Sequence, residues 1–208
     1  MILADIGNRY AHIYFNNKIE HLEIDNFLQR FKDKELFYIC VNSKVLNRVK
    51  NNKKWTNIAP FAKLDGAYKG MGIDRVVLAL SKKDAILIDA GSAITIDVVK
   101  NSKFLGGAIL PGIWKTILSY KEISSALEIK SLDKIDIDKL PNKSTQQTIS
   151  YSIIAPIIAL VEKINSYNLP IFCCGGDGEL LSKYIKNSTY KEDLVFDGMK
   201  NVIKEIKC

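Results

Sequence analysis

Residues 2–8 read Ile-Leu-Ala-Asp-Ile-Gly-Asn, and residues 86–92 read Ile-Leu-Ile-Asp-Ala-Gly-Ser. Both are apolar runs closed by Asp-x-Gly and a small polar residue. A second run of β-formers follows each one, Tyr10 to Phe15 in the first case and Ala93 to Val99 in the second. Strand, glycine turn, strand describes a hairpin, with the glycine expected to supply the positive φ of the turn. The chain therefore reads as two related halves that open alike, residues 1–82 and 83–208.

Outward from the hairpins the pattern stays mixed. Asn16-Asn17 marks a second turn, with a third strand over Ile19 to Ile24. A short helix is expected near Asn26–Phe31, a strand over Glu35 to Val41, and a helix capped by Ser43 running to about Lys50. The second half predicts strands over Ala85 to Asp89, Ala93 to Val99 and Phe104 to Leu110, then a helix over Gly112 to Leu127. A long helix over Ser144 to Tyr167 is expected to kink or break at Pro156. Pro170 to Cys174 is a strand, followed by helices near Glu179–Lys186 and Phe196–Ile206. Asn57 to Gly72 reads as a loop, and Ser131 to Lys143 as a polar linker. The class is α/β, two mixed sheets flanked by helices, with a cleft between the halves.

Composition bounds the function. In 208 residues, 47% are hydrophobic and 25% charged, the balance of a soluble globular protein rather than a disordered one. Lys+Arg is 30 against Asp+Glu 23, a net charge of +7. The lysines are dispersed among acids, and the densest basic run, Lys50 to Lys54, is short. A solvated face that draws in an anionic ligand fits this better than a nucleic-acid surface. No run reaches the roughly 18 apolar residues of a membrane span, and the N-terminus carries an acid at Asp5 with no basic region before it. Cys40, Cys173, Cys174 and Cys208 lack zinc-ligand spacing and read as reduced thiols of a cytoplasmic protein. His12 and His21 read as strand residues, with no catalytic triad.

Neither a GxxxxGK[ST] loop nor a GxGxxG fingerprint is present. The two Asp-x-Gly hairpins offer another route to phosphate. A glycine turn exposes backbone N–H groups, Asn8 and Ser92 add side-chain donors, and Asp5 and Asp89 offer oxygen to a metal and its waters. Gly72-Ile73-Asp74-Arg75 leaves two readings open. Asp74 is an N-cap beside a surface Arg75, or Asp74 is a base for a hydroxyl and Arg75 a fork for a carboxylate. Gly106 to Gly112 and Gly175 to Gly178 are either close-approach glycines at a ligand or plain turns.

With these residues in view, the chain resembles the type III pantothenate kinases, members of the acetate and sugar kinase/Hsp70/actin superfamily. The resemblance runs from Asp5 to about Asp177. Asp5-Ile6-Gly7-Asn8 matches the family's DxGN, and Gly72 to Arg75 its GxDR. Asp89 to Asp97 matches DxGTAxTxD with Ser92 in place of Thr. Gly106 to Gly112 matches GGxIxPG, and Gly175-Gly176-Asp177 a late glycine loop. The resemblance implies two ribonuclease-H-like, actin-like ATPase domains and ATP-dependent phosphorylation of the terminal hydroxyl of pantothenate, the first step toward coenzyme A. It implies that Asp5, Ile6, Gly7, Asn8, Arg9 and Ser92 hold ATP, with Asp5 meeting Mg²⁺ through water. Asp74 is then the general base, and Tyr68, Gly72, Ile73, Asp74, Arg75 and Thr145 line the pantothenate site. Asp89 binds a monovalent cation, potassium or ammonium, and the enzyme is a homodimer whose substrate site is completed across the interface. No nucleic-acid or membrane partner is implied.

Four departures accompany the resemblance. The chain is shorter than the family pattern, Tyr68 to Gly72 is tighter, Ser144 replaces Asn before Thr145, and Tyr151-Ser152 replaces Ser-Gly. A catalytically weak regulatory relative and a kinase of another small alcohol are the alternative functions.

Overall fold

In the computed structural model, which describes residues 1–207, the first Asp-x-Gly repeat is the hairpin of β1 (Leu3–Ile6) and β2 (Tyr10–Phe15). Asn16 and Asn17, at φ 50° and 60°, turn the chain into β3 (Lys18–Glu23). Two consecutive left-handed residues suit a tight hairpin, and Asn tolerates that region. Helix α1 (Ile24–Phe31), strand β4 (Leu36–Cys40), helix α2 (Ser43–Val49) and strand β5 (Trp55–Asn57) follow, and the strands lie in the order β3-β2-β1-β4-β5. β1 pairs antiparallel with β2 and parallel with β4, so the sheet is mixed.

Strand side chains alternate between the faces of this sheet. Ala4, Ile6, Ala11 and Ile13 join Phe27, Tyr38 and Trp55 in one core. Leu3 and Ile39 face the other way, onto Val77 of α3 (Ile73–Ala79) and Phe196, Met199 and Val202 of α7 (Leu194–Lys207). Burial of each such side chain contributes about 1.5–3 kcal/mol. Gly198 lets the two helices cross closely, since a methyl group there would overlap the Val77 carbonyl. Asp5 stands opposite His12, and His12 opposite His21, in a row across three strands. The two imidazole Nδ1 atoms are 2.5 Å apart.

The second Asp-x-Gly repeat joins β6 (Ala85–Ala90) to β7 (Ala93–Lys100), and Asn101-Ser102, again left-handed, leads into β8 (Lys103–Pro111). Then come α4 (Ile113–Ile123), α5 (Thr145–Ile164), β9 (Ile171–Cys174), α6 (Gly178–Ser182) and β10 (Ser188–Tyr190). The strand order is β10-β9-β6-β7-β8, with β6 and β10 both parallel to β9. Ile86, Ile88, Ile94 and Ile96 pack against Ile113 and Ile117 of α4 and Ile149, Ile153 and Ile157 of α5. The architecture is α/β, two mixed sheets flanked by helices. By length and composition α5 alone among the described helices would match a membrane span, but Ile149, Ile153, Ile154, Ile157 and Val161 are core residues.

The chain forms two compact units. One holds Met1–Lys83, Val99–Leu105 and everything from Asp193 onward; the other holds Asp84–Val98 and Gly106–Glu192. A division into 1–82 and 83–208 therefore misassigns two segments. The closing helix belongs to the first unit because Phe196, Met199, Val202 and Ile203 complete the core around Leu3, Ile39 and Ile58.

Several local expectations are corrected. Neither Gly7 nor Gly91 has positive φ. A Cβ on Gly7 would make a tight 3.1 Å contact with the Tyr10 carbonyl oxygen, which accepts the Gly7 N–H at 3.0 Å. Asn42, not Ser43, caps α2, accepting from the Lys44 and Val45 N–H groups at 3.0 and 3.3 Å. The helix expected over Gly112 to Leu127 stops at Ile123, where Ser124 is extended and caps a separate turn. Pro156 does not break α5, which runs through it. The stretch Ser131 to Lys143 is no free linker, because Leu132, Ile135 and Ile137 pack on the second core. The short strands β5 and β10 had no alternation long enough to be seen. Cys40, Cys173 and Cys174 are thiols, and burial pushes Cys173 up to about 11. Cys208 lies outside the described residues.

Candidate active site

β1 ends at Asp5-Ile6, and the chain turns over Gly7, Asn8 and Arg9 before β2 begins. Asp5 is half-buried, while Asn8 and Arg9 are exposed. The turn is tied to the neighbouring parallel strand, since Val41 N–H donates to the Ile6 carbonyl at 3.1 Å. The Asn42 amide reaches the Asn8 carbonyl at 3.5 Å. The Cys40 thiol is raised above its ordinary pKa mainly by burial, with the Asp5 carboxylate adding to the effect. A carboxylate at a strand end, beside a turn that exposes Asn8 and Arg9, can take up phosphate and a hydrated divalent cation.

Gly72 is the N-cap of α3, and its missing side chain has a specific use. A Cβ there would lie 2.5 Å from Asp74 Oδ1, so glycine leaves room for the carboxylate to fold back over the helix start. That oxygen accepts the Arg75 backbone N–H at 2.8 Å. Asp74 thus sits in the first helical turn rather than at the cap. Arg75 is no surface residue either, being only 6% exposed. Its Nη1 donates to the Tyr68 hydroxyl at 2.7 Å, and its guanidinium carbon lies 5.9 Å from the ring centres of both Tyr68 and Phe104. The bland reading of this motif, capping acid plus solvated base, is excluded on both counts. A buried guanidinium beside a helix-start carboxylate is an arrangement for binding an anion next to a proton acceptor.

In the second unit, β6 ends at Asp89-Ala90, and Gly91 N–H bonds the Ala93 carbonyl at 2.9 Å across the turn. The start of α4 closes on the same turn. Gly112 donates to the Ser92 carbonyl at 3.2 Å, and a Cβ on Gly112 would come 2.7 Å from that oxygen. Ser92 is exposed at this helix N-terminus, where the macrodipole favours negative charge. The late glycine loop meets the same place. Gly175, at φ +82°, packs against Asp89, and Asp177 N–H donates to the Ala90 carbonyl at 2.9 Å. Burial raises the Asp177 carboxyl above the ordinary carboxylate range. Three glycine motifs widely separated in sequence, Gly91, Gly112 and Gly175, therefore converge on one turn.

Thr145 stands elsewhere in the second unit. It is exposed in the first turn of α5, on the wall of a hollow of about 550 Å³ shared with Tyr120, Leu127, Thr148 and Ile149. Ser144 caps the helix by accepting from Gln147 N–H at 3.1 Å, which explains why Ser can stand where the related pattern has Asn. Sequence reasoning missed Asn42 and Phe104. Asn42 was legible as a capping residue one place before Ser43. Phe104 left no local signal, because its partners are 29 and 36 residues away in the chain.

The chain is similar to known proteins over most of its length. The family model described as type III pantothenate kinase matches residues 41–166. A Campylobacter jejuni type III pantothenate kinase is 40% identical over 205 residues, covering 99% of this chain and 97% of that protein. The present length is therefore ordinary among such relatives. The crystal structure of a Baf family protein from Campylobacter jejuni superposes with a TM-score of 0.89 at 37% identity, covering 100% of this chain and 99% of that one. MreB5 of Spiroplasma citri, with a TM-score of 0.52 at 14% identity over 99% of this chain and 96% of its own, shares the fold alone.

Proposed function

The chain belongs to the type III pantothenate kinase family, and from that premise we propose that it transfers the γ-phosphoryl group of ATP to the terminal hydroxyl of pantothenate, the first step toward coenzyme A. The observation that carries this reading is the Gly72–Arg75 segment. A helix-start carboxylate given room by Gly72 adjoins a buried guanidinium whose carbon lies 5.9 Å from the ring centres of both Tyr68 and Phe104.

Phosphoryl transfer depends on positioning and charge neutralisation more than on covalent chemistry. Asp74 accepts the hydroxyl proton as the new O–P bond forms and the bond to the ADP oxygen breaks. Arg75, with Tyr68, orients the substrate through its carboxylate, and Gly72 and Ile73 line the same place. The Asp5 turn, Ile6 to Arg9, and the Ser92 turn at the start of α4 hold phosphate oxygens. The carboxylate of Asp5, a hard oxygen ligand at the end of β1, would hold a Mg²⁺ ion through water. When bound, that ion neutralises phosphate charge. Asp89, an oxygen ligand packed against Gly175 at the end of β6, would hold potassium or ammonium.

We also propose a homodimer. Trp114 and Leu118 lie one turn apart on α4, with Trp114 52% exposed, and Ile109 of β8 is 60% exposed. Exposed aromatic and aliphatic groups of this kind suit an interface, and Thr145 would serve the partner's substrate. The reduced thiols suit the cytoplasm.

The test is ADP release from ATP with pantothenate, Mg²⁺ and potassium, with the phosphorylated product identified by mass. Release with another small alcohol in place of pantothenate, or none with any, overturns the reading.

A further inference from the structure

We propose that Phe104 is a positioning residue for the acceptor substrate: its ring holds the Arg75 guanidinium in the orientation that meets the substrate carboxylate. The inference rests on the pantothenate reading and extends it to a residue outside every sequence motif.

Phe104 is 6% exposed and has no polar side-chain atom. Its ring centre lies 5.9 Å from the Arg75 guanidinium carbon and 6.3 Å from the Tyr68 ring centre, with the two rings inclined by 53°. A ring face attracts a cation without using any of its N–H donors. Anchoring Arg75 this way restrains the guanidinium and uses none of its N–H groups, one of which donates to the Tyr68 hydroxyl at 2.7 Å. An acid in the same position would bind the guanidinium more strongly but would neutralise it.

The same residue anchors the Tyr68 loop. Phe104 N–H donates to the Asp65 carbonyl at 2.8 Å, and Asp65 forms a parallel bridge with Lys103. Gly66, at φ +80°, passes so close that a Cβ would overlap the Phe104 carbonyl. Phe104 therefore holds Tyr68 through its backbone and Arg75 through its ring, and so sets the distance between the two groups that face the substrate.

The experiment compares Phe104→Leu and Phe104→Tyr with the wild-type chain, using pantothenate and pantothenol, the analogue whose carboxylate is replaced by a hydroxymethyl group. Phe104→Leu is expected to raise KM for pantothenate about tenfold, the scale of a desolvated cation–π contact. It should leave KM for ATP unchanged and spare pantothenol, while Phe104→Tyr restores the wild-type value. Phe104→Met carries the same contrast should the Leu variant fail to fold. An unchanged pantothenate KM in an active protein, or an equal penalty on pantothenol, overturns the inference alone. A wild-type chain that leaves pantothenate unphosphorylated sinks the functional reading and the inference with it.

Discussion

Asp89 and Cys174 lie side by side in parallel register, so β6 and β9 end at the same level and the chain turns at Gly175 directly against the Asp89 turn. Gly175 has φ +82°, and a Cβ there would stand 2.6 Å from the Ala90 carbonyl oxygen as well as striking the Asp89 carboxylate. Gly175→Ala is expected to cost at least about 1–2 kcal/mol from the left-handed backbone alone. It should also weaken nucleotide binding by displacing Asp89. Denaturant unfolding and titration with a non-hydrolysable ATP analogue check both effects, and an Ala variant of native stability would contradict the geometry.

Asp74→Asn keeps the shape of the helix start and an oxygen to accept the Arg75 N–H. It removes the proton acceptor. Turnover should fall by about two to four orders of magnitude, with affinity for the ATP analogue close to that of the wild type. Lost nucleotide affinity with intact turnover would reverse the role assigned to this residue.

Asp177 gives a pH signature. Burial raises its carboxyl, so just above the ordinary carboxylate value of about 3.9 the folded chain holds a proton that the unfolded chain has released. Stability contributed by the neutral form is therefore lost as pH rises through that window. Asp177→Asn cannot titrate. Its Tm advantage over the wild type should grow from about pH 4 upward and then level off. A Tm difference that stays flat with pH would show that the burial has no such consequence.

Trp114→Glu places a charge in the exposed apolar stripe of α4. The wild-type chain should sediment at twice the chain mass, and the variant at the chain mass with its Tm little changed. A wild-type monomer, or a variant that still dimerises, removes this surface from the interface.

Much of the fold could be read from local features. Asp5-Ile6-Gly7 and Asp89-Ala90-Gly91 announced their hairpins because strand alternation and glycine turns act over a few residues. The consecutive Asn16-Asn17 pair did the same for the next turn. What failed depended on distance along the chain or on rival local donors. Gly7 is favoured by the tight approach of the Tyr10 carbonyl rather than by a positive φ, and only coordinates distinguish the two. Asn42 and Ser43 are both good caps, and the bond made to Asn8 accompanies the choice of Asn42. Within the site, the residues alone leave Asp74 and Arg75 open between a capping pair and a functional pair, and only the resemblance to the type III pantothenate kinases assigns their roles. The contacts that set Arg75 apart from a surface base include Tyr68 and Phe104, which no periodicity links to it.

Helix α7 follows the other described elements in sequence and belongs to the first unit. A ribosome that has reached Glu192 has already delivered every segment of the unit built around Asp89. The unit that carries Asp5 and Asp74 still waits for Phe196, Met199 and Val202 to cover Leu3 and Ile39. Order along the chain and order of completion are thus inverted, and helix α3 lacks the core partners Phe196 and Met199 until α7 has been made.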